Sequence, residues 1–280
     1  MQEQVASHEG LFQSSARWAD YSAAVDRLIR DAMTKTDASE QAIEATIQVN
    51  TNAMIDRVNE IVELLGIQSH HTIGDFGCGY GFMPLLMHCV TGAKIDAYDR
   101  SEGFLALGRS FADAEPQLAN GVRFNQFDYL SDTLDEDAGP YDVILLNNTL
   151  QYVVGREQKL DVIRRLSAML KPNGTLMIFV PNPVNPREPF TRLPIVHWLP
   201  RAMAKRITTK LGRRDLSDID YTSYPGLRKL ARQAGLERTR YHPNGRLHNR
   251  LSDGVRVAIT SPIFCRSFAL VGRAADGVKA

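Results

Sequence analysis

Over the first seventy positions apolar residues recur at three- and four-residue spacing. Trp18, Tyr21, Val25, Leu28 and Ile29 form one set; Ile43, Ile47, Met54, Ile55, Val58, Ile61, Val62 and Leu65 form another. That period predicts amphipathic helices. Asp37 and Glu40 fit a capping box for the second helix, and Gly66 fits its stop. From His71 the rhythm changes. Short apolar runs at Thr72 to Phe76, Lys94 to Tyr98, Val122 to Phe127, Tyr141 to Asn147 and Thr175 to Val180 are separated by helical segments. Those segments are Phe82 to Val90, Glu102 to Ala114 and Arg156 to Leu170. Near-continuous apolar strands alternating with helices predict an α/β fold, a doubly wound parallel sheet covered on both faces.

The alternation breaks after Val180. The stretch from Pro181 to Pro189 carries four prolines and reads as a loop. A helix then returns near Leu227 to Ala234, stopped at Gly235, followed by strand-like segments Glu237 to Tyr241 and Arg266 to Val271. The organisation is a helical extension over 1–70 and an α/β domain over 71–280, with an insertion at 181–222.

Composition sets outer bounds. The chain has 280 residues, ample for a large core, and 44% hydrophobic with 23% charged residues is ordinary globular usage. A formal charge of +1 argues against a wholesale nucleic-acid binder. No apolar run is long enough to span a bilayer, and the polar start, MQEQVASHEG, lacks a signal core, which points to the cytoplasm. Three cysteines, Cys78, Cys89 and Cys265, fit a reducing compartment, and no Cys/His spacing resembles a zinc site.

Candidate chemistry gathers at strand ends. The first strand runs into Gly74-Asp75-Phe76-Gly77-Cys78-Gly79-Tyr80-Gly81 before a helix. Glycines there let a ligand approach the backbone, and a helix N-terminus offers free N–H groups. The dinucleotide fingerprint fails, because Phe82 stands at its last glycine. Asp75 would repel a pyrophosphate and welcome a cofactor with an amine or cationic group. The second strand ends at Asp99 and Arg100, and a carboxylate there suits ribose hydroxyls. The third ends at Phe127-Asp128, where a carboxylate can accept from an exocyclic amine while an aromatic packs a base face. The fourth ends at Asn147-Asn148.

With these residues in place, the chain resembles the class I S-adenosylmethionine-dependent methyltransferases. The resemblance is carried by Asp75 to Gly81, Asp99, Asp128, Tyr141 to Asn148, and Leu170-Lys171-Pro172-Asn173-Gly174-Thr175-Leu176. It covers residues 60–180 well and the last hundred loosely. It implies a Rossmann-like methyltransferase fold whose seven-stranded, mainly parallel sheet has an antiparallel last strand. It implies S-adenosyl-L-methionine as cofactor, with Gly77, Cys78 and Gly79 along the methionine part. Asp99 would then hold the ribose and Asp128 would read the adenine amine. The segment after Asn147 would border cofactor and acceptor, and the N-terminal helices would form a lid from which Tyr21 reaches the cofactor; an ordinary amphipathic-face role for Tyr21 fits the spacing equally.

Many small-molecule members resembling this chain carry a histidine just after the fourth strand; here Leu150-Gln151-Tyr152-Val153 puts Tyr152 there. The candidate bases are Tyr152, His197, His242 and His248. Tyr152 and His242 are taken as catalytic candidates, with pocket shaping the simpler role for Tyr152 and a surface position the simpler reading of each histidine. Base-methylating enzymes use an Asn/Asp-Pro-Pro-aromatic loop after the fourth strand, and Asn147-Asn148-Thr149-Leu150 lacks the prolines. Divalent-metal catechol-type sites carry aspartates near that strand, absent at Asn147 and Asn148. What remains is metal-free methylation, at oxygen, of a small or carrier-linked molecule. N-methylation and non-catalytic nucleoside binding are the alternatives.

Residues 198–214 contain Arg201, Lys205, Arg206, Lys210, Arg213 and Arg214 with no acid, and Leu199, Met203, Ile207 and Leu211 recur every four. A basic amphipathic helix can lie on an anionic membrane or recognise a phosphorylated acceptor; it can equally be a lid packed on its own pocket. The Pro-rich flank suits a mobile cover over the acceptor side.

Overall fold

The computed structural model describes residues 57–114, 116–128, 131, 138–243 and 267–274, together with positions 23, 26, 27 and 30. Tyr21, Trp18, the Asp37–Glu40 capping box and His248 lie outside the described residues. The seven strands form one sheet in the order β3-β2-β1-β4-β5-β7-β6. The chain divides into two compact units, Met1–Asp128 and Tyr129–Ala280.

In the first unit, residues 57–65 are helical and end at Gly66, whose φ of 62° is a left-handed helix stop. Val58 and Ile61 of this helix are fully buried. Strand β1 (Thr72–Phe76) pairs in parallel with β2 (Lys94–Asp99), which pairs in parallel with β3 (Val122–Gln126). Helices α1 (Phe82–Thr91) and α2 (Glu102–Ala114) make the crossovers, with a single helical turn at Pro116–Ala119. Ile73, Phe76, Leu85, Ile95, Leu105 and Phe111 form the core, each within 1% of full burial. Side chains of this size contribute roughly 1.5–3 kcal/mol apiece when buried. The register sets Asp96 beside Arg123, and the guanidinium reaches both carboxylate oxygens at 2.6 and 3.0 Å.

Phe124 on β3 explains two glycines. A Cβ on Gly81 would lie 2.2 Å from the Phe124 ring, and one on Gly108 would lie 2.7 Å from it. The start of α1 and the middle of α2 therefore close on that ring only because neither position carries a side chain.

In the second unit, β4 (Tyr141–Asn147) runs parallel to β5 (Leu170–Pro181). β7 (Ser267–Ala274) lies antiparallel between β5 and β6 (Leu236–Pro243). Helix α3 (Arg156–Ala168) joins β4 to β5. After β5 come α4 (Arg201–Lys210), inside the insertion, and α5 (Tyr224–Gln233), which leads into β6. β5 begins earlier than the expected Thr175. Tyr141 pairs with Leu170 and Val143 with Thr175, so Lys171 to Gly174 form a bulge, with Asn173 at φ 63°. Their turn-forming composition hides a strand start.

The insertion has a core of its own. Val196, Ala204, Leu216 and Ile219 are buried together, with Tyr152, Phe190, Leu193, Ile207 and Tyr221 packed around them. Helix α4 departs from the apolar stripe read from its sequence: Ala204 and Thr208 are its buried residues, while Met203 and Leu211 are 53% and 55% exposed. Ala204, Thr208 and Ile207 face the cluster, and Met203 and Leu211 are left outside.

Candidate active site

In the first unit the glycine loop is wound by three left-handed residues, Gly77 (φ 85°), Gly79 (φ 57°) and Gly81 (φ 77°). The Tyr98 carbonyl accepts from the N–H groups of Gly77 and Cys78 at 2.7 and 2.9 Å. Asp99 holds the next turn, its two oxygens accepting from the N–H groups of Gly79 and Ser101 at 2.9 Å each. A carboxylate oxygen has more than one acceptor position, so Asp99 keeps capacity for hydroxyl donors. No side chain caps α1 at Gly81, and the space where a Gly79 Cβ would stand is open.

Asp75 is the unusual group. It lies in β1, only 1% exposed, and both of its carboxylate oxygens are buried without a hydrogen-bond partner among the described residues. Burial, then the charge of Asp99, push its pKa up from 3.8 to about 7. A buried carboxylate without a donor is costly, and a cationic ligand would satisfy it. Cys78 packs beside it; burial, then Asp75 and Asp99, push its thiol up, so it stays protonated and inert.

The other residues named for the cofactor are placed as follows. Phe127 is 5% exposed, and its ring meets Phe76 and Tyr98 edge-on at 6.0 and 5.8 Å, in an aromatic trio whose other two members stack at 4.5 Å. Asp128 follows it, half-buried. Arg100 is exposed, and its carbonyl accepts from Gln126 at 3.2 Å. Tyr80 and Phe104 are exposed and meet at 4.5 Å beside the glycine loop.

In the second unit Asn147 closes β4, and its carbonyl accepts from the Thr149 hydroxyl at 3.1 Å. Tyr152 ends a short 3-10 turn, Leu150–Tyr152. Arg214 donates to its hydroxyl at 3.4 Å and lies over both its ring and that of Phe190. His242 sits in β6, opposite Ala269; burial, then Arg240, hold its pKa below the usual histidine range. Among the described residues no hydrogen bond or ring contact joins Tyr152 to His242.

His197 departs from the surface position expected for it. Its Nε2 lies 3.0 Å from the Pro183 carbonyl, while its Nδ1 is buried without a partner. The same carbonyl accepts from Trp198 Nε1 at 2.7 Å.

Sequence reasoning missed two polar hubs, because their partners lie far apart along the chain. Glu188 is fully buried and accepts from Thr191, through N–H and hydroxyl, and from the Tyr221 hydroxyl. Burial alone would raise its pKa, but these donors bring it below the usual value. Burial and the bond to Glu188 push the Tyr221 hydroxyl up, so it remains a donor. In the second hub, Lys159 donates to the Asp220 carbonyl at 2.5 Å and to Thr222 at 2.8 Å, with the Asp220 carboxylate 3.1 Å away. That carboxylate also accepts from Gly155 N–H, and Asp220 N–H donates to the Gln151 carbonyl, both at 2.8 Å. The end of the insertion is thereby fixed to the start of α3.

A family model described as a methyltransferase domain matches residues 75–176. No curated protein sequence matches. Among solved structures, the fold is similar to that of the CcbJ methyltransferase from Streptomyces caelestis, at 20% identity over 79% of this chain and 95% of that one, with a TM-score of 0.57. An O-methyltransferase family protein from Burkholderia thailandensis aligns at 18% identity over 83% of this chain and 61% of that one, TM-score 0.50. The cyclase SpnF aligns at 17% identity over 79% and 82%, TM-score 0.54. At these identities the structures show a shared fold, and the matched domain begins at Asp75 and takes in the glycine loop and Asp99. The chain thus has the Rossmann-like methyltransferase fold, and residues 75–176 match a methyltransferase domain.

Proposed function

We propose that the protein transfers a methyl group from S-adenosyl-L-methionine to a hydroxyl of a small or carrier-linked acceptor, without a metal ion. The observation that carries the cofactor assignment is Asp75, whose two buried oxygens have no partner beside a glycine loop that Asp99 holds open. When bound, the cofactor supplies an electrophilic methyl group on a sulfonium centre. Asp75 would meet its cationic amino-acid end, the Gly77 to Gly79 backbone would line it, and Asp99 would accept from ribose hydroxyls. Asp128, two residues after β3, would accept from the adenine amine. The absence of an aspartate at Asn147 and Asn148 supports the metal-free reading.

Transfer to a hydroxyl needs an oriented acceptor and a proton acceptor for its O–H. The insertion supports an acceptor-binding role, since it has its own packed core and is tied by Lys159 and Asp220 to α3.

Calorimetry with S-adenosyl-L-methionine tests the cofactor half, and release of S-adenosylhomocysteine with an acceptor panel tests the reaction. We expect saturable binding that Asp99→Ala weakens at least tenfold. Absence of binding at high micromolar cofactor, or binding untouched by Asp99→Ala, would sink the proposal.

A further inference from the structure

The insertion encloses a cavity of about 300 Å³ that lies wholly within the second unit. Its lining includes His197, Trp198, Arg201, Lys205, Ile219 and Tyr221. Two features of this wall ask for different things from a ligand.

The first is a hydrogen-bond donor. The Pro183 carbonyl can only accept, so His197 Nε2 carries the ring proton and Nδ1 is left as a lone-pair acceptor. That Nδ1 is buried and has no partner among the described residues. Tyr221 cannot serve it, because its hydroxyl is committed to Glu188. One ring nitrogen held by a carbonyl leaves the other as an open acceptor for a hydroxyl donor.

The second is negative charge. Asp220 is occupied by Lys159 and by Gly155 N–H, and Lys205 pairs with Asp215 at 3.2 Å. Arg201 has no hydrogen bond or ion pair among the described residues, and it stands close enough to Lys159 to repel that ammonium. The wall thus carries one uncompensated guanidinium. Two aromatic rings of the lining adjoin His197, Tyr221 edge-on at 5.6 Å and Trp198 tilted at 5.5 Å.

We propose that this cavity binds the acceptor, and that the acceptor is a small aromatic oxyanion carrying a free hydroxyl. The hydroxyl donates to His197 Nδ1, the carboxylate or phosphate faces Arg201, and the ring lies among Trp198, Tyr221 and Ile219. This rests on the methyltransferase reading for the word acceptor, but the binding site stands on the cavity alone.

The test uses the full chain with Trp18→Phe, which leaves Trp198 as the sole tryptophan and so as a reporter inside the cavity wall. The probes are 4-hydroxybenzoate, 4-hydroxyphenyl phosphate, benzoate, phenol and 4-hydroxybenzylamine, titrated against Trp198 emission. We expect at least one of the two hydroxylated anions to bind tenfold more tightly than phenol or the amine, and the stronger of the two identifies the oxyanion. Arg201→Ala should bring the anion within threefold of phenol. His197→Phe should erase the preference for 4-hydroxybenzoate over benzoate while keeping the preference for anions. Equal binding of the amine, an anion preference that survives Arg201→Ala, or a hydroxyl preference that survives His197→Phe would each overturn the assignment. Calorimetry with S-adenosyl-L-methionine on the same sample separates the two proposals. Cofactor binding without binding of any ring anion overturns the cavity assignment alone, and ring-anion binding without cofactor binding overturns the methyltransferase reading alone.

Discussion

Asp75 makes the sharpest prediction, because an unpartnered buried carboxylate acts in opposite directions on stability and on binding. Its pKa stands at about 7 in the folded protein against 3.8 for an ordinary aspartate, with burial as the main cause. The folded protein therefore holds this proton more tightly than the unfolded chain does. Stability is lost as pH rises, beginning near 3.8 and complete above about 7, and the full loss is about 4 kcal/mol. Between about pH 5.5 and 7.5 the cofactor-free protein should lose roughly 2 kcal/mol through this group, measured by urea denaturation across that range. Asp75→Asn should remove that component of the slope and be the more stable protein at about pH 7.5. A cationic ligand needs the carboxylate ionised, so binding should strengthen about twentyfold over the same range. Near pH 6 about one proton should be released on binding, read by calorimetry in buffers of different ionisation enthalpy. Asp75→Asn should bind weakly with no such proton release. Affinity that stays flat with pH, or full affinity in Asp75→Asn, would refute the role given to this residue.

Two further perturbations test the scaffold. Gly81→Ala places a Cβ at φ 77° and 2.2 Å from the Phe124 ring, and should cost at least about 2 kcal/mol by urea denaturation, since left-handed strain and overpacking add. Lys159→Met removes a nearly buried ammonium from Asp220 and Thr222 while leaving the acid behind; about 3 kcal/mol should be lost, with faster proteolysis within 181–222 as the local readout.

Much of the strand and helix framework was legible in the sequence because its signals are local. β1, β4 and α2 begin and end where the apolar runs and flanking glycines place them. The glycine loop and Asp99 are joined by the β1–β2 pairing that the strand–helix alternation implies. The sequence was less informative where contacts are distant or backbone geometry is irregular. Lys171 to Gly174 have turn composition but lie in a bulged strand. Periodicity picked out Leu199, Met203, Ile207 and Leu211 as one face; Ile207 packs, but Met203 and Leu211 do not, because periodicity weighs only apolarity and close packing selected Ala204 and Thr208. His197 carries no motif around it. Its orientation depends on a carbonyl fourteen residues earlier, and Glu188 depends on a tyrosine thirty-three residues later.

The placement of β7 between β5 and β6 has a consequence for how the protein is made. β6 ends at Pro243, and β7, which it pairs with, does not start until Ser267. During synthesis β6 therefore leaves the ribosome with no strand to join, while β5 presents an open edge along Thr175 to Pro181. Both edges stay unsatisfied until the later strand arrives and closes them in one insertion. In that interval the nascent chain carries two unpaired strand edges, the condition under which wrong strand pairing occurs.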